Sequence, residues 1–230
     1  MRILLKLSGE ALAGEKKTGF DEPTVRKVAA QIKQVIKDNE IAIVIGGGNF
    51  WRGRTSGDMD RVKADQIGML ATVMNCMFVS EVFKTEGIAT EVFTPFTCGT
   101  FTSLYSKEEA VKSLKAGKVV FLAGGTGHPY FSTDMGTVLF ALQIEAESVL
   151  LAKSIDGVYD DDPAKNPDAK KFSEISLEEV VKRNLKVVDT AASALALENR
   201  LPFMVFDLNE ENSIVNTLSS DRFNGTRVTA

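Results

Sequence analysis

Histidine and cysteine are scarce in this 230-residue chain, which holds only His128, Cys76 and Cys98 of these two types. A lone histidine takes multi-histidine metal sites and histidine-based catalytic triads out of consideration. Two cysteines this far apart form no metal or redox motif and read as small, reduced hydrophobes. Basic runs are equally short. None exceeds the pairs Lys16-Lys17 and Lys170-Lys171, and the net charge is −4. Phosphate-backbone binding needs a clustered cationic face, so nucleic acid is not an expected partner. No membrane span or signal-peptide pattern is read from the chain, so no membrane partner is expected and the cytoplasm is the expected location. Three nucleotide-binding signatures are also missing: the G-x-x-x-x-G-K-[ST] loop, the protein-kinase catalytic loop, and a G-x-G-x-x-G between the first strand and its helix. Any nucleotide would have to be bound in another way.

What is present is a series of apolar strands that end in glycine. Residues 2 to 9 read as a strand that delivers Lys6 into a turn at Ser8-Gly9. Residues 41 to 45 empty into Gly46-Gly47-Gly48-Asn49, and residues 119 to 123 into Gly124-Gly125-Thr126-Gly127. Glycine lets backbone N–H groups approach a ligand without a Cβ in the way, and an ammonium nearby neutralises charge. Alone, Lys6 would be a lysine snorkelling from a buried strand. Three such strand ends together suggest convergence on one anionic ligand.

Helical patterns alternate with these strands. After Phe20-Asp21-Glu22-Pro23, apolar residues recur at Val25, Val28, Ala29, Ile32, Val35 and Ile36, the spacing of one helix face. Further helices are expected near 60–86, 107–116, 134–146, 177–184, 191–199 and 210–218, with strands near 90–93, 149–152, 203–208 and 227–229. Ser176 and Glu179 form a capping-box pattern after a long loop from 154 to 175. The alternation predicts an α/β fold: a single three-layer αβα domain with a mostly parallel central sheet and ligands at the carboxyl ends of its strands. With 44% hydrophobic residues, the chain can bury a large core as one domain or two intimate lobes.

The motifs resemble those of the bacterial uridylate kinases, within the amino acid kinase fold family. The resemblance is carried by Lys-Leu-Ser-Gly-Glu-Ala-Leu at 6–12, Gly-Gly-Gly-Asn at 46–49 leading to Arg52-Gly53, and Asp65 followed by Gly-Met-Leu-Ala-Thr-Val-Met-Asn at 68–75. It continues through Gly-Thr-Gly-His-Pro-Tyr-Phe-Ser-Thr-Asp at 125–134 and Asp-Gly-Val-Tyr at 156–159 with Asp162-Pro163, to the final strand. It implies a domain spanning 1–230, with a UMP-binding lobe over about 1–150 and an ATP-binding lobe over about 151–230.

The resemblance also implies transfer of the ATP γ-phosphoryl group to UMP, with Mg2+ accompanying ATP and carried mainly by the phosphates. Catalytic roles fall on Lys6, Asp134 and Asp189. UMP would meet Gly47, Asp65, Thr126, Gly127, His128, Pro129, Tyr130, Phe131, Ser132 and Thr133, with Asp65 taking the ribose hydroxyls. ATP would meet Lys6, Leu7, Ser8, Gly9, Gly48, Arg52, Lys153, Tyr159 and Asp162. Asp134 beside phosphates helps only by holding a lysine or orienting magnesium through water; otherwise it caps the following helix, with Thr133 competing for that place. Asp189 reads equally as a helix N-cap. Relatives carry threonine-lysine where this chain has Lys153-Ser154, and charge favours Lys153 as the phosphate contact.

Two other readings stay open: a relative that phosphorylates a carboxylate or carbamate, and a non-catalytic nucleotide-binding regulator. A carboxylate acceptor calls for a cationic side chain, and segment 126–133 offers none unless His128 is charged. The resemblance further implies a homo-oligomer, expected to be a hexamer. Met69, Leu70, Val73, Met74, Met77 and Phe78 give the helix after Asp65 more apolar positions than one buried stripe requires, and the surplus points to a partner surface. Trp51, in a polar glycine loop, reads either as a lid over the phosphates or as a packing anchor, with the anchor favoured.

Overall fold

The computed structural model describes residues 1–51, 57–219 and 222–230. Its first half runs β1 (Arg2–Leu7), α1 (Gly9–Leu12), a 3-10 turn (Gly14–Lys16), α2 (Glu22–Val35), β2 (Glu40–Ile45), α3 (Arg61–Thr85), β3 (Thr90–Thr94), β4 (Ser103–Leu104), α4 (Lys107–Lys115) and β5 (Val119–Leu122). The second half runs α5 (Thr133–Gln143), β6 (Ser148–Lys153), β7 (Val158–Tyr159), β8 (Lys171–Phe172), β9 (Glu174–Ser176), α6 (Leu177–Lys182), α7 (Thr190–Glu198), β10 (Phe203–Asp207), α8 (Ser213–Leu218) and β11 (Thr226–Thr229).

Nine strands form one sheet in the order β4-β3-β5-β2-β1-β6-β10-β11-β9, and β7 and β8 form a separate hairpin. Every neighbour in the large sheet is parallel except β10 and β11. β1 lies inside it, with Lys6 opposite Val44 on one side and Leu151 on the other. Alternation along β1 feeds two cores. Ile3, Leu5 and Leu7 pack with the apolar faces of α2 and α3, while Leu4 faces the core built with α4, α5, α6 and α7. A strand covered on both faces is a continuous apolar run, and a single charge near its end is placed where the cover stops. The three-layer expectation is met.

Local signals set the helix starts. Asp21 accepts a hydrogen bond from the Thr24 amide at 3.0 Å, and Ser176 accepts one from Glu179 at 3.1 Å. The differences lie in short elements. Ser8-Gly9 is the entry to α1 rather than a free turn. The stretch 154–175 holds β7, β8 and the start of β9, because strands of two or three residues carry no readable periodicity. α8 begins three residues later than expected, after Asn212 in a left-handed conformation with φ 55°. α3 corrects the expectation that nothing in the chain approaches a membrane span: its length and composition suffice for one. Over half of its apolar window is buried, and it packs on α2, β2, β3 and β5, so that part of its apolar surface belongs to the core, while Ile67, Leu70, Met74 and Met77 stay exposed.

Candidate active site

The carboxyl ends of β1, β2, β5 and β6 meet the N-termini of α3 and α5. Lys6, one residue from the end of β1, places Nζ 2.9 Å from Asp134 Oδ1, with both side chains largely shielded. Asp134 does not cap α5, and neither does Thr133. Ser132 does, accepting from the Met135 amide at 3.0 Å, which leaves Asp134 in the first turn, held to the lysine. Asp189 does cap its helix, accepting from the Ala192 amide at 3.0 Å, and its other oxygen accepts from the Ser132 hydroxyl. One hydroxyl therefore ties the starts of α5 and α7 together. Lys6, Asp65, Thr133, Asp134 and Asp189 share the wall of one open cavity of about 340 Å3.

An adjoining cavity of about 190 Å3 is bounded by Gly47, Gly48, Asp65, Gly68, Thr126 and Thr133, among others. Close approach explains its glycines. A Cβ on Gly47 would sit 2.9 Å from the Gly68 carbonyl oxygen and 3.0 Å from the Ala71 methyl, so α3 can press on the triplet only if that side chain is missing. A Cβ on Gly9 would collide with the Gly46 carbonyl and the Asn49 side chain. The buried amides of Asn49 and Asn75 exchange hydrogen bonds of 2.9 and 2.7 Å, and Asn75 also donates to the Gly46 carbonyl at 2.7 Å. The Thr72 hydroxyl accepts from the Gly124 amide at 2.8 Å, fixing α3 to the end of β5. Trp51 donates from Nε1 to the Ala64 carbonyl at 2.8 Å and also lines this cavity.

Segment 126–133 divides. Thr126, Phe131, Ser132 and Thr133 line these cavities, whereas Gly127, His128, Pro129 and Tyr130 line neither. The imidazole of His128 turns back on its own loop, with Nδ1 3.1 Å from the Thr126 carbonyl oxygen. Tyr130 has φ 72°, uncommon for a residue with a side chain, and its amide donates to Asp65 Oδ2 at 2.8 Å. The same oxygen pairs with Arg61 Nε at 2.8 Å.

Lys153, Tyr159 and Asp162 line a third cavity, of about 540 Å3, together with Val187 and Val205. Lys153 donates to the carbonyls of Val187 and Lys186. Burial pushes its ammonium down to about 8; nearby Asp134 opposes that shift and Lys6 adds to it. Tyr159 donates to Asp156 at 2.7 Å, and Asp156 is held by Lys171 at 2.8 Å. Leu7 is core, and Leu7, Ser8 and Gly9 line none of the three cavities. Arg52 lies outside the described residues. The sequence reading missed Arg61 and gave no role to Asn49, Thr72 or Asn75. Three of these four residues lie inside the quoted motifs 46–49 and 68–75, and an N-terminal helix arginine four residues before Asp65 was the available signal for the fourth.

Residues 1–207 match the amino acid kinase family. Uridylate kinases of two Streptococcus thermophilus strains are each 43% identical over 229 residues, covering 98% of this chain and 94% of the relative. A crystal structure of UMP kinase from Bacillus anthracis superposes with a TM-score of 0.93 at 33% identity, over 99% of this chain and 95% of that one. UMP kinase from Ureaplasma parvum gives 0.94 at 33%, over 100% and 99%. Uridylate kinase from Archaeoglobus fulgidus, at 22% identity and a TM-score of 0.76, shares the fold. With its parallel sheet, its glycine-lined strand ends and these near-full-length likenesses, the chain belongs to the amino acid kinase family and stands among its uridylate kinases.

Proposed function

We propose that this protein transfers the γ-phosphoryl group of magnesium-ATP to UMP, giving UDP and ADP for pyrimidine nucleotide synthesis in the cytoplasm. The observation that carries the reading is the position of the Lys6–Asp134 pair, 2.9 Å apart, on a cavity that adjoins the glycine-lined pocket. A phosphate monoester has its second pKa near about 6, so the acceptor oxygen is already ionised at neutral pH and needs no general base. One UMP phosphate oxygen attacks the γ-phosphorus, the bond from that phosphorus to the β,γ-bridging oxygen breaks, and ADP leaves with the electron pair. What the protein must supply is alignment of two polyanions and fixed positive charge. Lys6 bridges donor and acceptor phosphates, and Asp134 keeps its ammonium on line. Magnesium supplies further charge neutralisation when bound with ATP. Asp134 and Asp189, carboxylates on one cavity wall, are hard oxygen donors of the kind that would hold magnesium through water while the phosphates carry most of its charge.

The small pocket takes the uracil nucleoside, with Asp65 at the ribose, and the third cavity takes the adenosine, with Tyr159 as a stacking face. The assembly is a homo-oligomer, a hexamer by resemblance. Ile67, Leu70, Met74 and Met77 form an exposed apolar line along α3 that a second copy would cover, and light scattering on the eluted protein reads the mass directly. Activity is tested by ADP release with UMP, CMP, carbamate and acetylglutamate at matched concentration. The expected result is turnover with UMP and at least about tenfold less with CMP, the scale that one or two polar contacts supply. Equal use of CMP, or turnover with carbamate or acetylglutamate instead, overturns the reading.

A further inference from the structure

Asp65 stands on the wall common to the two adjoining cavities, and this divides a bound acceptor between them. The smaller cavity is walled mostly by backbone and neutral side chains, a setting for a base and sugar. Among the described residues the only two cations on either wall, Lys6 and Arg61, belong to the larger one. Lys6 is committed to Asp134 and, in the proposed reaction, to both phosphates. A dianionic acceptor needs a second positive group that belongs to it alone.

Arg61, the first residue of α3, is built for this. Its Nε bonds Asp65 at 2.8 Å, and its guanidinium carbon lies 5.3 Å from the centre of the Tyr130 ring. Tyr130 is held in turn by its amide bond to the same Asp65 oxygen, at 2.8 Å. The guanidinium is therefore fixed at one edge and on one face, while its two terminal nitrogens make no hydrogen bond among the described residues. The Arg61 side chain is 40% exposed against 14% for Asp65, so a ligand entering the cavity reaches the arginine first. A pre-oriented planar fork suits the oxygens of a phosphate better than a mobile ammonium does.

We infer that Arg61 binds the phosphate of the acceptor nucleotide through its terminal guanidinium nitrogens, with Asp65 and Tyr130 keeping that fork in place. The inference rests on the nucleoside monophosphate reading and assigns the part of the molecule that Arg61 recognises. Asp65 then serves twice, as a ribose acceptor on one side and as the support of the arginine on the other.

Calorimetric titration of UMP and of uridine into the full chain and into Arg61→Gln and Arg61→Lys tests it. The unaltered protein should bind UMP more tightly than uridine. Arg61→Gln should lose UMP affinity by about 10- to 100-fold, the scale of charge-assisted hydrogen bonds, with uridine affinity held within about twofold. Arg61→Lys should recover part of the loss. An unchanged UMP-to-uridine ratio in Arg61→Gln overturns the assignment, and so does an equal loss of both ligands, which would make Arg61 a structural support of Asp65. If the unaltered protein itself fails to prefer UMP over uridine, the acceptor reading fails first and this assignment with it.

Discussion

The acceptor side and the donor side of the cleft are asked to hold similar molecules, and they are made differently. On the acceptor side the wall is backbone: Gly47 is glycine because the Gly68 carbonyl and the Ala71 methyl occupy the space of a Cβ, Gly9 behind it is glycine because the Gly46 carbonyl does, and the Asn49–Asn75 amide pair locks the triplet to α3. On the donor side the wall is side chains carried on short elements, with residues 160–170 stitched by local bonds such as Lys170 N to Asp160 Oδ1 at 2.7 Å and Asp168 N to Asn166 Oδ1 at 3.0 Å. Its lining mixes the acids Asp160 to Asp162 with the cations Lys153, Lys165, Arg183 and Lys186. Rigid close approach defines one side, and charged side chains on short elements define the other.

The comparison is sharpened most by Lys6, where the two sides meet. Lys6→Met should lower kcat on the order of a hundredfold or more, with UMP affinity by calorimetry changing much less, because the charge acts on the transferring group. A joint loss of affinity and of the circular-dichroism signal would make the lysine structural. Next in size is Gly9→Ala. The added methyl meets backbone that cannot yield, so a loss of about 3 kcal/mol and a melting temperature lower by roughly 6–12 °C are expected. An unchanged melting curve would break the claim that close approach builds the acceptor side.

The donor side should answer to pH instead. Burial lowers the Lys153 ammonium from its ordinary 10.5 to about 8. Between these values the unfolded chain keeps a proton that the folded chain has released, so stability rises with pH across that window. Relative to Lys153→Met, the unaltered protein should gain about 1–3 kcal/mol from pH 8 to 10.5 in denaturant melts. A flat difference would show an ammonium that keeps its ordinary affinity for protons. The smallest effect belongs to Asp189→Ala, which removes a cap and the tie to Ser132; about 1 kcal/mol, or roughly 2–4 °C, should be lost.

The same contrast explains what could be read from the residues. The long elements and the order of layers were legible because β1, β2, β5 and β6 are continuous apolar runs and α2 repeats at helical spacing. Lys6 could be placed at an anionic site because glycine-ended strands define one rim, and Asp65 and Thr133 were placed beside it by the resemblance alone. The role of Asp134 could not be decided, since a carboxylate at a helix start looks like a cap until a better cap, Ser132, is seen two residues earlier. Asp189 turned out to be the cap that the plainer reading gave, with a tie to Ser132 that no sequence pattern marks. Lys153 was chosen on charge, but the carbonyls that hold it come from residues 186 and 187, 33 and 34 positions away in the chain. Arg61 was overlooked because an exposed arginine paired at helical spacing is usually a solvated surface pair, and only the shared cavity sets it apart.

Direct transfer between the two sides is tested most simply by a single turnover of ATP labelled in its γ-phosphate, mixed with UMP and quenched over time. The label should pass into the β-phosphate of UDP at the rate at which ADP appears, and Lys6→Met should slow both together. Label on the protein before UMP is added, or label released as inorganic phosphate while UMP is unchanged, would contradict a site in which donor and acceptor phosphates meet at Lys6.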